Sequence, residues 1–196
     1  MSLPAPLGLN FYMGTPREPI PVKLFVALLC THESLFSVVE EELALGFGAI
    51  DGSSKALPWD VTAFYRADMG PGLVRRFVSH TSLILPDRIA AIKRKTQELE
   101  ERHRWSREGR TGRQVNIDPG YLEAGKVVLA STKNAGHRIY LGSGVYGELT
   151  LAYQEGRFKP YPTTYPDYRW PETLEFLTRV RSVYLKQLKE ERKNGY

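Results

Sequence analysis

Polar and ionisable residues crowd into three short segments of this chain, each beside a stretch apolar enough to be buried: NIDPGY at 116–121, STKNAGHR at 131–138 and TYPDYR at 164–169. The second carries the most chemistry. An apolar run ends at Ser131, and the chain passes Thr132, Lys133, a glycine and the pair His137 and Arg138 before turning apolar again. Charged donors, hydroxyls and loop amides together suit a phosphate or carboxylate, because they converge on its oxygens. Lys133 and Arg138 are expected to fix an anionic group, with Ser131 and Thr132 adding hydroxyls. His137 is the expected acid or base, since histidine alone titrates near neutrality without a shift. Asp118 is its expected catalytic partner, able to orient it, accept a proton or hold Arg138, and Asp167 is the other carboxylate in reach. Asn116, Tyr121, Tyr165 and Tyr168 complete the expected pocket. The same residues also read as capped loops whose charges pair internally with Asp118, Glu148 or Asp167, which would make the chain a partner-binding domain. A weaker fourth segment covers residues 58–62 and 65–70, where Asp60 and Thr62 are two apart on one strand face and aromatic residues nearby could stack a flat ligand.

Other chemistries lack their residues. There is no G-x-S-x-G nucleophile motif, and the single cysteine, Cys30, lies in an apolar strand and reads as core. His32, His80, His103 and His137 never fall at H-x-x-x-H or H-E-x-x-H spacing, so no metal motif is present, a metal would need long-range convergence of its ligands, and the cofactor is unknown. GYLEAGK at 120–126 has the spacing of a P-loop. However, Val127 stands where magnesium needs Ser or Thr, and the chain continues as strand instead of opening the helix that a phosphate-binding loop requires.

The elements that must position these segments follow from periodicity. Residues 22–29 are apolar apart from Lys23, the pattern of a central strand buried on both faces. A helix is expected next, with Thr31 as N-cap and Phe36, Val39, Leu43 and Phe47 along one face. Residues 59–66 and 73–80 are rich in β-branched and aromatic residues around a Met69-Gly-Pro-Gly72 turn, and read as a hairpin. A second helix starts at Pro86, with Ile89, Ile92, Thr96, Leu99 and His103 at 3-4 spacing; this makes His103 a structural histidine. Residues 106–112 read as a loop. A strand at 126–131, a hairpin over 137–153 and a short strand around Phe158 follow, and a final helix opens at Pro171. This order predicts an α+β fold: a mostly antiparallel sheet of split βαβ, ferredoxin-like type, extended by a C-terminal hairpin, with three helices on one face. Residues 1–21, rich in Pro and Gly, read as a flexible lead to a single domain over 22–196.

The chain has 196 residues, 42% of them hydrophobic and 25% charged, ordinary proportions for a globular protein. Its net charge of +5 is uneven: residues 87–113 hold nine basic and five acidic residues. Arg88, Lys95 and Arg102 recur every seven residues there, so RNA is a possible partner besides a small anionic molecule. No run reaches the length of a membrane span, and residues 1–21 lack a signal-peptide pattern, so a cytoplasmic protein is expected. Nothing in the pattern fixes an oligomeric state.

The motifs VNIDPGYL (115–122), VLASTK (128–133), HRIYLG (137–142) and TYPDYR (164–169), with the strand 144–150, resemble a bacterial family of unknown function, the domain-of-unknown-function family numbered 4416. The likeness runs from about residue 21 to the last helix. Some members of that family bear the label GTP-binding protein, but it carries no assigned reaction.

Overall fold

A computed structural model of the protein describes residues 16–107 and 109–193. Along the chain lie β1 (Val22–Cys30), α1 (Leu35–Phe47), β2 (Ile50–Ser53), β3 (Leu57–Pro58), α2 (Arg66–Met69), β4 (Val74–Ile84) and α3 (Ile89–Arg102). Then follow β5 (Arg104–Arg107), β6 (Arg110–Arg113), β7 (Val115–Leu122), β8 (Lys126–Ser131), β9 (Arg138–Gly142), β10 (Val145–Gln154), β11 (Arg157–Pro160) and α4 (Pro171–Lys193). It is an α+β fold around a nine-stranded antiparallel sheet ordered β11-β10-β8-β7-β1-β4-β2, with β3 on β4 and β9 on β10. The crossover through α1 skips β4, and the crossover through α3 skips β1. No helix among the described residues is long and apolar enough to cross a membrane.

β1 shows why the sequence folds this way. Every residue of it is buried, and strand alternation splits them between two cores. Val26, Leu28 and Cys30 pack with Phe36, Val39 and Leu43 of α1 and with Leu99 of α3. Phe25 and Ala27 face the opposite way, toward Phe176, Leu177, Val180 and Tyr184 of α4. The expectation of three helices on one face is therefore corrected: there are four, and α4 covers the second face. The additional helix, α2, is a single turn.

Three local expectations also change. Thr31 does not cap α1; its amide donates to the Gln114 carbonyl at 3.0 Å and the helix starts at Leu35. The hairpin partners of β4 are β2 and β3, not residues 59–66, which form a turn held by the Thr62 hydroxyl accepting from the Phe64 amide at 3.1 Å. Two of their aromatic residues are there for packing: Trp59 is buried with Leu29, Met69 and Leu73 and Tyr65 lies against that cluster, whereas Phe64 is 60% exposed. The expected loop at 106–112 belongs to the hairpin β5–β6, where Gly112 fits because a Cβ there would lie 2.1 Å from the Asp68 carbonyl. His103 ends α3 as a half-buried structural residue, its Nε2 2.6 Å from Glu42. The expected flexible lead falls mostly outside the described residues.

Candidate functional site

A cavity of about 210 Å³ opens where β7 and β8 part. The two strands pair only from Gly120 to Leu122 against Val127 to Leu129. Pro119 explains where the pairing stops. In an antiparallel strand alternate residues turn their backbone groups to the same side, so Pro119 shares the outer edge with Ile117 and offers no N–H to β8. Beyond it, side chains of α3 replace a strand: the Ile117 amide donates to Glu100 Oε1 at 2.8 Å, and Lys93 Nζ donates to the Ile117 carbonyl at 2.8 Å.

The polar groups on this wall form a closed ring. Lys93 lies 3.1 Å from Asp118 Oδ1, Asn116 donates to Asp118 at 2.5 Å, Arg113 donates to Asn116 at 2.8 Å and to Glu100 at 3.1 Å, and Glu100 lies 3.8 Å from Lys93. Asp68 completes the hold on Arg113 through its backbone amide and Nε. Burial works to raise the Asp118 carboxyl, but Lys93, Arg75 and the Asn116 hydrogen bond outweigh it and hold it below its ordinary 3.8. Asp118 is therefore ionised at neutral pH.

The opposite wall comes from β8, β9, β10 and the 164–170 turn. Arg138 is a clamp: it donates to Glu148 Oε2, Ser131 Oγ and the Lys133 carbonyl, each at 2.8 Å, and to the Tyr165 hydroxyl at 2.9 Å. This fixes the 131–138 loop and leaves the guanidinium little to offer a ligand. Lys133 differs. Among the described residues no carboxylate lies within 4.0 Å of it, and its ammonium sits 3.9 Å from the centre of the Phe64 ring. Burial, with Arg113, Arg138 and Lys93 nearby, lowers its pKa from 10.5.

Arg75 closes the base of the cavity. It reaches inward from β4, fully covered, with Nη2 2.8 Å from Asp167 Oδ2 and its guanidinium 5.9 Å from the Trp59 ring. Its Nε and Nη1 have no hydrogen-bond partner, and neither do Trp59 Nε1, Glu148 Oε1, Asp167 Oδ2 and the Tyr168 hydroxyl. All five residues are buried and all five line this cavity.

Of the residues expected from sequence, Asn116, Asp118, Ser131, Thr132, Lys133, Arg138, Tyr165, Asp167 and Tyr168 meet here. Tyr121 does not; it packs on the other side of the sheet against the cluster of Leu24, Ile89 and Ala130. His137 lies outside the cavity wall, exposed, with Nε2 3.2 Å from Glu148 Oε2. Asp60 pairs with Arg66 at the surface, while Trp59, Phe64 and Tyr65 form an aromatic rim with Thr62 beside them. Arg75, Lys93, Gln97, Glu100 and Arg113 carry no motif. The one signal for Arg75 is the double arginine between the apolar residues Leu73, Val74, Phe77 and Val78. The P-loop-like GYLEAGK is the tight turn from β7 to β8, its Lys126 paired with Glu123 at 2.9 Å, and no helix follows. Among the described residues no group of three or more potential metal ligands comes together.

No curated protein and no solved structure matches the chain. A family model does, that of a domain of unknown function, DUF4416, over residues 20–184. With most of its length matched, this chain belongs to the DUF4416 family.

Proposed function

We propose that the cavity between β7 and β8 binds a small anionic molecule, phosphorylated or carboxylated, with Lys133 as the cationic contact at the mouth and Arg75 as the buried donor. The observation that carries this reading is the collection of unpartnered buried polar atoms on Trp59, Arg75, Glu148 and Tyr168 around one space, where Asp167 Oδ2 is held by Arg75 alone. Buried polar groups are nearly always paired, and each one left unpaired costs about 1–3 kcal/mol. Four such residues around one cavity are best accounted for by a ligand that completes them. The sign of the ligand follows from charge: Arg75, Lys93, Arg113, Lys133 and Arg138 face four carboxylates, and Lys133 is the cation without one among the described residues.

Of the expected catalytic pair, Asp118 meets the ligand and is ionised. An acid–base role for His137 has to pass through Glu148, which stands between it and the cavity. The RNA reading is weaker, because Lys93, Arg102, Arg104 and Arg113 of the basic segment are spent on carboxylates of the chain itself.

The test is a thermal-shift series with phosphates and carboxylates on the wild type and on Lys133→Ala. A ligand at 100 times its Kd stabilises the folded state by about 2.7 kcal/mol. The expected result is a raised midpoint in the wild type that disappears in Lys133→Ala, with the unliganded midpoint unchanged because Lys133 is exposed. A shift that survives the substitution removes Lys133 from the site, and no shift with any anion removes the reading.

A further inference from the structure

Resting on that reading, we infer that the ligand is a hydroxylated anion, one that carries hydrogen-bond donors beside its acidic group, as a sugar phosphate or a hydroxy acid does. The unpartnered atoms are of two kinds. Arg75 Nε, Arg75 Nη1 and Trp59 Nε1 can only donate, and they suit the oxygens of a phosphate or carboxylate. Glu148 Oε1 can only accept, and it belongs to a side chain 1% exposed whose other oxygen is already taken by Arg138. Asp167 Oδ2 lies beside Arg75 without a hydrogen bond to it. A bare anion would meet these two carboxylates as like charges and leave Glu148 Oε1 unpaired. A ligand hydroxyl satisfies both demands, because it donates to a carboxylate and adds no charge. The Tyr168 hydroxyl, buried and able to donate or accept, fits between the two kinds.

Size narrows the class. A cavity of about 210 Å³ falls below the roughly 300–1,000 Å³ of pockets that take drug-sized ligands, and so suits a small acid. The rim of Trp59, Phe64 and Tyr65 gives the carbon skeleton an apolar surface.

The experiment is calorimetric titration of the full chain with two pairs of equal charge: glycerol 3-phosphate against propyl phosphate, and tartrate against succinate. Hydrogen bonds to charged groups contribute about 1.5–3 kcal/mol each, so the hydroxylated member of at least one pair is expected to bind tenfold tighter or better. Whichever pair discriminates identifies the acid as phosphate or carboxylate. Equal affinity within both pairs overturns this inference and leaves the anion site standing; failure of all four to bind removes the anion site itself. Tyr168→Phe ties the result to this cavity. Its hydroxyl has no partner in the protein, so the variant is expected to melt at the same temperature or higher while binding the preferred probe several-fold more weakly. An unchanged affinity in that variant places the probe elsewhere and overturns the assignment.

Discussion

At the scale of single residues, Asp118 is where the site's electrostatics can be read from outside. Its carboxyl is held below the ordinary value by Lys93 and Arg75 against the cost of burial. A carboxyl lowered in the folded state contributes stability that is complete above the unfolded-chain value, and loses it as pH falls through the lowered native value. The destabilisation caused by Asp118→Asn, measured by urea denaturation, is therefore expected to be full at pH 6 to 7 and to shrink toward zero below about pH 3.8. A difference independent of pH would show that Asp118 acts by shape and not by charge. The polar loop residues of this site were legible in the sequence because each stands beside a stretch too apolar to be exposed. Arg75, Lys93 and Glu100 were not, since a charge at helical or strand spacing reads as solvated unless its partner is known. Their partners, Asp167, Asp118 and Arg113, lie 92, 25 and 13 residues away. His137 misled for the converse reason. Its residue type suits acid–base chemistry, but the register of β9 against β10 sets Arg138 opposite Glu148 and leaves the histidine just before the strand, outside.

At the scale of elements, the site exists because β7 stops pairing with β8, and two adjacent residues make that boundary. Pro119 ends the ladder by lacking a donor. Gly120 lets the strands and the Phe25 ring approach, since a Cβ there would lie 2.6 Å from both Phe25 Cζ and the Val128 carbonyl. Gly120→Ala is expected to cost about 1–3 kcal/mol through overpacking and to widen the cleft, lowering affinity for the anion as well. Gly125, in the turn that follows β7, would meet nothing within 4 Å, so Gly125→Ala is the control and is expected to change neither stability nor binding. Equal effects of the two substitutions, compared by denaturant midpoint, would mean that the strand boundary is not set at Gly120. The long elements were legible from pattern: β1 from an apolar run broken only by Lys23, α3 from 3-4 spacing, β8 from a second apolar run and α4 from Pro171 and its apolar side. The 59–66 segment was not, because aromatic and β-branched content reports burial against a partner, and here the partner is a loop cluster around Leu29 instead of a neighbouring strand.

At the scale of the whole molecule, the uneven charge and the buried site turn out to be one feature. The nine basic residues between 87 and 113 looked like an outward-facing patch, yet Lys93 and Arg113 run inward to the ring at the cavity, and Arg102 and Arg104 pair with Glu42 and Glu101. Among the described side chains of the segment, Arg88, Arg94, Lys95 and Arg110 are exposed and remain for an external polyanion. Binding to single-stranded RNA loses affinity with salt at a slope of about −0.7 for each phosphate neutralised. If all nine residues engaged phosphate, the slope of log K against log salt would be about −6; with those four alone it is about −2.8. Titration of the protein with a labelled oligonucleotide at several salt concentrations separates the cases. A slope at or below the shallow value, unaffected by glycerol 3-phosphate, is expected for a surface that attracts polyanions without being the site. A slope near −6, or release of the oligonucleotide by the small anion, would mean that the ring opens and that the cavity and the basic segment serve one polyanionic ligand.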